Sequence, residues 1–494
     1  MRLHRVAGLV VGGGILVALS TKAALAQSTA PNAQIQAIQT QIDALQNQLQ
    51  QLKGQLDQTN QQLKESQAQT KQAQESAQKA QAEVKKAADS DPIVTFPNNR
   101  PTIGNKTASL AIGTQVQFDM GGYFQNGDND DIIPAGAREL NTGSNLRRAR
   151  LFVVGKYYDW TVNLTPDFGG SPDGTVSLYE ANINYTFKPV TATIGFFKPW
   201  YSLQDSMSSN DFLFMERPSI VEIARNVAAG DARASIGAKA NGDQWFASGY
   251  LTGGNWGDQG VTLLNEEQLG VVGRLAGRPL YGEDWSLHVG FSGSYMFQPP
   301  QSNVDQPGES LHNTQLRDRP ELRIDMNRLI DTGLIDTNHA DTWGFELGGN
   351  WRNFLLQGEY IRIDVDRRGG DSNVHFQGGY VEGSWVITGE QRKYSASSAA
   401  FARPVPAHPF DPINGERGWG AWELAARYSL TDLDSDDIHG GNQKVYGLSV
   451  SWYPNALLRF ILQGDYVDVD RESAAGTEIG QDFWDVAVRS QIAF

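Results

Sequence analysis

No cysteine occurs anywhere in the 494 residues, so disulfide scaffolds, thiolate zinc sites and cysteine nucleophiles are excluded. Long apolar runs are missing too: apart from one short N-terminal stretch, nothing approaches the roughly 18 consecutive apolar residues that a membrane helix needs. Positive charge is scarce, with 41 Lys plus Arg against 56 Asp plus Glu and a net charge of -15. That balance lacks the basic footprint of a nucleic-acid binder. The seven histidines (His4, His288, His312, His339, His375, His408, His439) are scattered, with no HExxH and no metal-like spacing. His288 between Ser286 and Ser292 comes nearest to a catalytic grouping, and small polar residues lining a lumen explain it equally well. No Gly-rich loop sits between a strand and a helix, so neither cofactor nor enzymatic activity is expected.

What is present is glycine, at 52 residues, and aromatic side chains, at 21 Phe, 16 Tyr and 12 Trp, in a chain whose mean hydropathy is -0.42. A polar, aromatic-rich chain without a helical span points to an all-β protein, either secreted or an outer-membrane barrel. The first residues favour export. Arg2 and Arg5 precede the apolar run Val6 to Leu19, and Ala24-Leu25-Ala26 gives a small-x-small cleavage pattern. Residues 1–26 therefore read as a signal peptide, with a mature start at Gln27.

From 27 to 91 the chain turns to Gln, Ala, Leu and Lys without a single aromatic residue. Ile35, Ile38, Ile42, Leu45, Leu49, Leu52, Leu56 and Leu63 recur three and four apart, and Ala73, Ala77, Ala80, Val84 and Ala87 continue the register. Such a narrow seam over many heptads predicts a coiled coil, about 80 Å long if helical throughout. Ile at both core positions of the first heptad favours three or four strands over two, so a homotrimer is expected. Residues 92–107, with Pro92, Pro97 and Pro101, stop the helix and read as a linker.

Beyond residue 100 the period changes from 3.5 to 2. Trp285, Leu287, Val289, Phe291, Gly293, Tyr295 and Phe297 alternate with Ser286, His288, Gly290, Ser292 and Ser294. Trp343 to Trp351, Trp160 to Leu164 and Leu458 to Leu462 follow the same rule, and Trp484 to Phe494 ends the chain on an alternating strand with a terminal Phe. Segments this long, bracketed by aromatics, predict a transmembrane antiparallel β-barrel over 108–494. Sixteen or seventeen segments can be counted, and the even-number rule gives about 16 strands. Two connections stand out: Pro199 to about Gly230, whose Phe212, Leu213, Phe214, Met215 and Ile220 are too apolar for an outside flap and predict a loop folded into the barrel, and Lys393 to about Arg417.

Several stretches over about 108–494 resemble the porin O and P family of phosphate-selective porins. They are Leu146-Arg147-Arg148-Ala149-Arg150-Leu151, Gly195-Phe196-Phe197-Lys198-Pro199 followed by Phe214-Met215-Glu216-Arg217, and Tyr360-Ile361-Arg362-Ile363-Asp364. Ile387-Thr388-Gly389-Glu390, Phe401 to Pro406 and Trp422 to Ser429 complete the set. One departure is that Lys198 meets Pro199 directly, where the family often carries a Glu between them. The resemblance implies a sixteen-stranded trimeric barrel whose inward loops line an anion pathway with Arg and Lys.

An anion path asks for several weak cationic steps, since one deep site would hold its ion. Inward phase or loop position nominates Arg148, Arg150, Lys198, Arg217, Arg225, Arg233, Arg352, Arg427, Arg459 and Arg489 as substrate-binding residues. Arg217, at the charged end of the apolar loop, is expected to face the aqueous gap. Each residue also has an ordinary ion-pair reading: Glu216 neighbours Arg217, Glu423 precedes Arg427 by four, and Asp465 shares a face with Arg459. Residues 97–494 carry 32 Lys plus Arg and 49 Asp plus Glu, so local field, not bulk charge, has to supply selectivity. The expected partners are small anions, phosphate foremost, together with the lipid bilayer and two further copies of the chain. The rival readings are a general-diffusion porin, or an envelope tether whose periplasmic coiled coil reaches toward peptidoglycan.

Overall fold

The computed structural model describes residues 31–90, 92–125, 139–170, 176–257, 266–301, 312–473 and 475–494. The proposed signal peptide lies outside them. Two units are distinct, one ending at Lys85 and one running from Lys86 to Phe494.

The first unit is a single helix, α1 (Pro31–Ser90), 60 residues long, or about 90 Å at 1.5 Å per residue. It opens on a proline, which costs nothing in a first turn, and it ends before Pro92. Along it Ile38, Leu45, Leu49, Leu52, Leu56 and Leu63 are all exposed in the single chain. An apolar row without covering surface is not self-sufficient in water.

The second unit is a closed barrel of sixteen antiparallel strands: β1 (Ala108–Gln125), β2 (Gly143–Tyr157), β3 (Trp160–Asp167), β4 (Ser177–Phe187), β5 (Val190–Phe197), β6 (Arg233–Asn241), β7 (Trp245–Asn255), β8 (Leu269–Tyr281), β9 (Trp285–Gln298), β10 (Ile335–Trp351), β11 (Phe354–Arg367), β12 (Val374–Val386), β13 (Ala421–Ser435), β14 (Ile438–Tyr453), β15 (Leu458–Asp470) and β16 (Gln481–Ala493). The expected strand number is met. Closure is made by β16 on β1, from Phe483 opposite Gln125 to Ala493 opposite Gln115. Residues 93–95 and 102–104, inside the expected linker, form two short strands that extend this sheet through Thr102 opposite Ala111.

Alternation sorts the wall. On β9, Trp285, Val289, Phe291, Tyr295 and Phe297 face outward and exposed, while Ser286, His288, Ser292 and Ser294 face inward and buried. Aromatic rings line both rims of the outer face. Trp351, Phe354 and Trp385 stack near one rim, and Tyr428, Tyr446, Tyr466 and Trp484 run in a row near the other. Phe354 and Tyr360, outward on one strand, lie six residues or about 20 Å apart, the spacing of two interfacial girdles.

Most connections at one end are short turns, such as 158–159, 188–189 and 352–353; long loops occupy the other end. Among the described residues, three long connections enter the lumen. The first, 198–232, carries α2 (Leu203–Ser206) and α3 (Ser219–Ala228), as its apolar composition led one to expect. The second joins β9 to β10, and its described part, 312–334, also enters from the long-loop end. Leu316, Leu322, Leu329 and Ile330 of this loop are buried with α3. The third, 387–420, rises from the short-turn end, with Ala400 and Phe401 buried against Leu203, Phe212, Leu213 and Phe214. The first loop is therefore gripped from both ends.

Apolar burial accounts for the docking. Ile220, Ile223 and Val227 of α3 pack on Ile361, Ile363, Phe376 and Val445 of the wall, and each buried aliphatic side chain contributes about 1.5–3 kcal/mol. Two wall glycines make room for the approach. A Cβ at Gly378 would meet the Ile220 side chain at 2.9 Å, and one at Gly447 would meet the Phe214 ring at 2.8 Å.

Candidate functional site: a charged lumen held by inward loops

Glu216, at the tip of the first loop, gathers four guanidiniums. Arg147 Nε and Nη2 donate to its two carboxylate oxygens at 2.7 and 3.0 Å, and Arg489 Nη2 donates at 2.9 Å. Arg148 Nη2 and Arg323 Nε stand at 3.6 Å. Planar forks suit this bidentate arrangement. Burial pushes the Glu216 carboxyl up, but Arg147, Arg148, Arg489 and Arg323 outweigh it and hold the group well below the usual carboxylate range. Arg489 is itself shared with Asp119, at 2.7 Å through both nitrogens. The cluster carries more cations than anions, and the Arg147 and Arg323 side chains keep 16% and 20% of their surface in solvent.

Arg147 escaped the inward-phase count. It falls on the outward beat of β2, but a bulge between Gln117 and Phe118 on β1 leaves Arg147 without a register partner. A bulge re-aims the extra residue, so Arg147 and Arg148 reach one carboxylate. No hydrophobic-alternation rule signals a bulge; only the tandem arginines do.

Around Asp205 of α2 the first loop ties itself together. Arg225 Nε donates at 2.6 Å, Arg217 Nη2 lies at 3.3 Å and Lys198 Nζ at 3.9 Å, with Lys198 also donating to the Asp205 carbonyl. Glu222 meets Arg217, Arg225 and Arg323 at 3.5, 3.4 and 3.1 Å. Burial raises its pKa, and Arg225, Arg323 and Arg217 bring it down to about 2. Asp231, paired with Arg225 at 2.8 Å, is also held below its ordinary value by that guanidinium against the pull of burial. Arg217 thus lies buried, with its guanidinium over the Phe212 ring, and does not stand open to the lumen.

The other nominated cations are also committed. Arg150 pairs with Asp167 at 2.7 Å and lies over the Tyr179 ring. Arg233 donates to the carbonyls of Asn226, Ala229 and Gly253, stitching the loop's exit. Arg459 donates to Ser451 Oγ at 2.8 Å and reaches the carbonyls of Asn210 and Leu213. Arg352 is elsewhere: it sits on the turn between β10 and β11, two-thirds exposed, 3.3 Å from Asp284. None of the three neighbour pairings suggested by spacing forms. Glu216 takes Arg147 and Arg489, and Glu423 takes Arg392 at 2.6 Å. Asp465 accepts from Gln463. Arg274, likewise unforeseen, is fully buried on Glu346 at 2.7 Å and holds the third loop through the carbonyls of Ser398 and Ala399. His288 belongs to the same knot, bonded to Glu346 and to the Tyr394 hydroxyl at 3.0 Å each.

A second cluster inverts the charge ratio. Arg427, over the Phe214 ring, is ion-paired with Glu321 at 2.6 Å and lies 3.9 Å from Glu382. Asp465 and Asp485 stand opposite each other in the register of β15 and β16 beside it. Neither oxygen of Asp485 has a donor. Among the described residues no group of three His, Asp or Glu could hold a metal ion.

A closed sixteen-strand barrel with an apolar, aromatic-rimmed exterior and a polar lumen narrowed by an inward loop is the architecture of an outer-membrane porin. A family model for phosphate-selective porins O and P matches residues 114–494, and the chain belongs to that family. Among curated relatives, a Caulobacter vibrioides protein described as uncharacterized is 26% identical over 349 residues, covering 67% of this chain and 64% of its own. Porin O of Pseudomonas aeruginosa is 23% identical over 393 residues, 71% of this chain and 81% of that protein. Among solved structures, the anion-selective porin from Comamonas acidovorans aligns at a TM-score of 0.47 and 12% identity, covering 78% of this chain and 100% of that one. The outer-membrane channel DcaP of Acinetobacter baumannii aligns at 0.44 and 12%, covering 78% and 98%.

Proposed function

We propose that the chain is a passive outer-membrane channel for small anions, phosphate or polyphosphate among them. The single observation that carries this reading is the Glu216 cluster, where four guanidiniums surround one carboxylate and two of them reach water. In a narrow lumen with low-dielectric walls, a local excess of fixed positive charge raises anion occupancy far above that of the bulk. On this reading cations of the lumen, some nominated from sequence and some not, take two roles. Arg148, Arg225, Arg233, Arg427, Arg459 and Arg489 hold the loops, and the partly exposed Arg147, Lys198 and Arg323 face the ions. The family's description as phosphate-selective agrees with an anion path.

The assembly belongs to the same proposal. Three chains pair through the exposed seam of α1 on the periplasmic side, where a helix of about 90 Å also reaches toward peptidoglycan. The barrel wall offers a second surface. β3 and β5 are only eight residues long, under the nine to eleven that a tilted strand needs to span lipid, so neighbouring subunits cover that sector.

The test is the zero-current potential of the reconstituted protein in a potassium chloride gradient, repeated with phosphate. An anion-selective potential that collapses on adding phosphate is expected; a cation-selective potential ends this reading.

A further inference from the structure

The second inward loop encloses a space that the ion-pair network leaves unused. A cavity of about 280 Å3 lies at the long-loop end, between α3 and the chain around residues 313–317. One side is apolar, made by Ile223 and Val227 of α3, Met296 of β9 and Leu316, all buried. The other side presents Arg317 and Arg328. Burial, and after it the positive charges of Arg317 and Arg323, lower the Arg328 pKa, while the carboxylates of Asp318 and Asp331 oppose the shift. Asp331 lies 3.8 Å from Arg317, whereas among the described residues Arg328 makes no ion pair within 4 Å. Thr314 Oγ1, also in the lining, has no hydrogen-bond partner.

We propose that this cavity binds an organic anion with a ring-sized apolar body and a carboxylate head, that is, an aryl carboxylate, on its way to the constriction. The inference rests on the anion-channel reading and names a solute class for it. A dry apolar cavity of about 150 Å3 accommodates benzene, so this one has room for a ring, an anionic head and a water. The guanidinium of Arg328 supplies the planar fork a carboxylate fits. Inorganic phosphate, hydrated on every side, gains nothing from Ile223, Val227, Met296 and Leu316, and pockets of mixed character select ligands with both an apolar body and a placed polar group. Because the site is wide and has one unpaired cation, it holds its ligand weakly, as a conducting path requires.

Potassium benzoate is the probe, titrated into chloride current through single channels from the long-loop side, with potassium phosphate as comparison. Benzoate is expected to block the chain as it stands, and its block should weaken roughly tenfold in Arg328→Gln. Asn226→Trp, which fills the cavity from the solvent face of α3 without removing a charge, should do the same. In both variants benzoate block should fall much more than phosphate block. Benzoate block unchanged in both variants overturns the proposal, and so does an equal loss of benzoate and phosphate block in both. An anion-selective channel that benzoate never blocks also overturns it while leaving the channel reading intact. A cation-selective channel that benzoate still blocks through Arg328 supports the cavity and removes the channel reading.

Discussion

Two charged clusters sit within one lumen, and their composition is opposite. Around Glu216 four guanidiniums share one carboxylate, with Asp119 as a second acceptor. Around Arg427 one guanidinium serves Glu321 and Glu382, with Asp465 and Asp485 alongside. The first cluster is edged by the partly exposed Arg147 and Arg323; the second is sealed under Phe214 and the second loop. The excess of acid in the barrel region therefore does not fix the sign the ions meet, because field depends on which charges face water. On the proposed reading, sealed acids act on the loops and edge cations act on the solute.

The largest effect expected from this contrast is on the sealed side. Arg427→Met removes the one cation among four carboxyl groups and leaves buried charge unpaired, a change that costs about 3–5 kcal/mol. The temperature at which the heat-modifiable barrel unfolds should drop sharply, and adding Asp485→Asn should restore part of it. An unshifted unfolding temperature in the single variant contradicts a dry acid cluster. Glu216→Gln comes next. It removes one charged hydrogen-bond acceptor from Arg147 and Arg489, worth about 2–3 kcal/mol, so the barrel should stay folded with a noisier current. Anion-over-cation permeability should rise, since the surrounding guanidiniums lose their counter-charge. A fall in anion permeability would show that Glu216 only positions the loop.

The barrel was legible in the sequence because a two-residue period is local: Trp285 to Phe297 announces its lipid face without knowledge of any neighbour. The first inward loop was legible for the same reason, since Phe212 to Met215 cannot stay in water. The second loop was not. Arg317, Asp318, Arg319, Glu321 and Arg323 look solvated along the chain, and only their partners on other strands, Arg427 for Glu321 and Glu216 with Glu222 for Arg323, make them interior. The candidate cations show the same limit. Strand phase placed Arg148, Arg150, Arg427, Arg459 and Arg489 inward, but phase carries no information on pairing; it missed Arg147 at its bulge, and Arg352, nominated with the lumen cations, sits on an exposed turn instead. The seam of α1 was read from its heptads, and the helix forms as expected.

Arg147→Gln isolates the edge role from the anchoring one. Arg147 is one of several cations on Glu216, so the loop keeps Arg489, Arg148 and Arg323 as anchors. Losing one partly exposed charge at an effective dielectric near 20 should lower the anion-over-cation permeability ratio roughly threefold, with the unfolding temperature nearly unchanged. Potentials of reconstituted channels in a salt gradient read this directly. A variant that unfolds early without a change in selectivity would reassign Arg147 to the anchors.

The smallest effect is a pH dependence through Lys198. Its ammonium stands at the entry of the first loop, against the carbonyl of Asp205 and 3.9 Å from the carboxylate. Burial disfavours the charged form and Arg217 adds repulsion, while Asp205 and Asp231 oppose both, with the pKa lowered to about 8. For a lysine, a depressed pKa means that the folded chain gives up its proton earlier than the unfolded one, whose lysine titrates near 10.4. Between about pH 8 and 10.4 the unfolded state therefore binds more protons, and the Lys198 contribution to stability rises with pH across that window. Selectivity moves the other way: as pH climbs from 7 to 9 the edge of the lumen loses a positive charge and the anion preference should decline modestly, with a midpoint near 8. Lys198→Arg, always charged, should abolish that step and leave a flat profile. If the wild-type profile is already flat over this range, Lys198 stays charged, and the guanidiniums around Glu216 alone set the field.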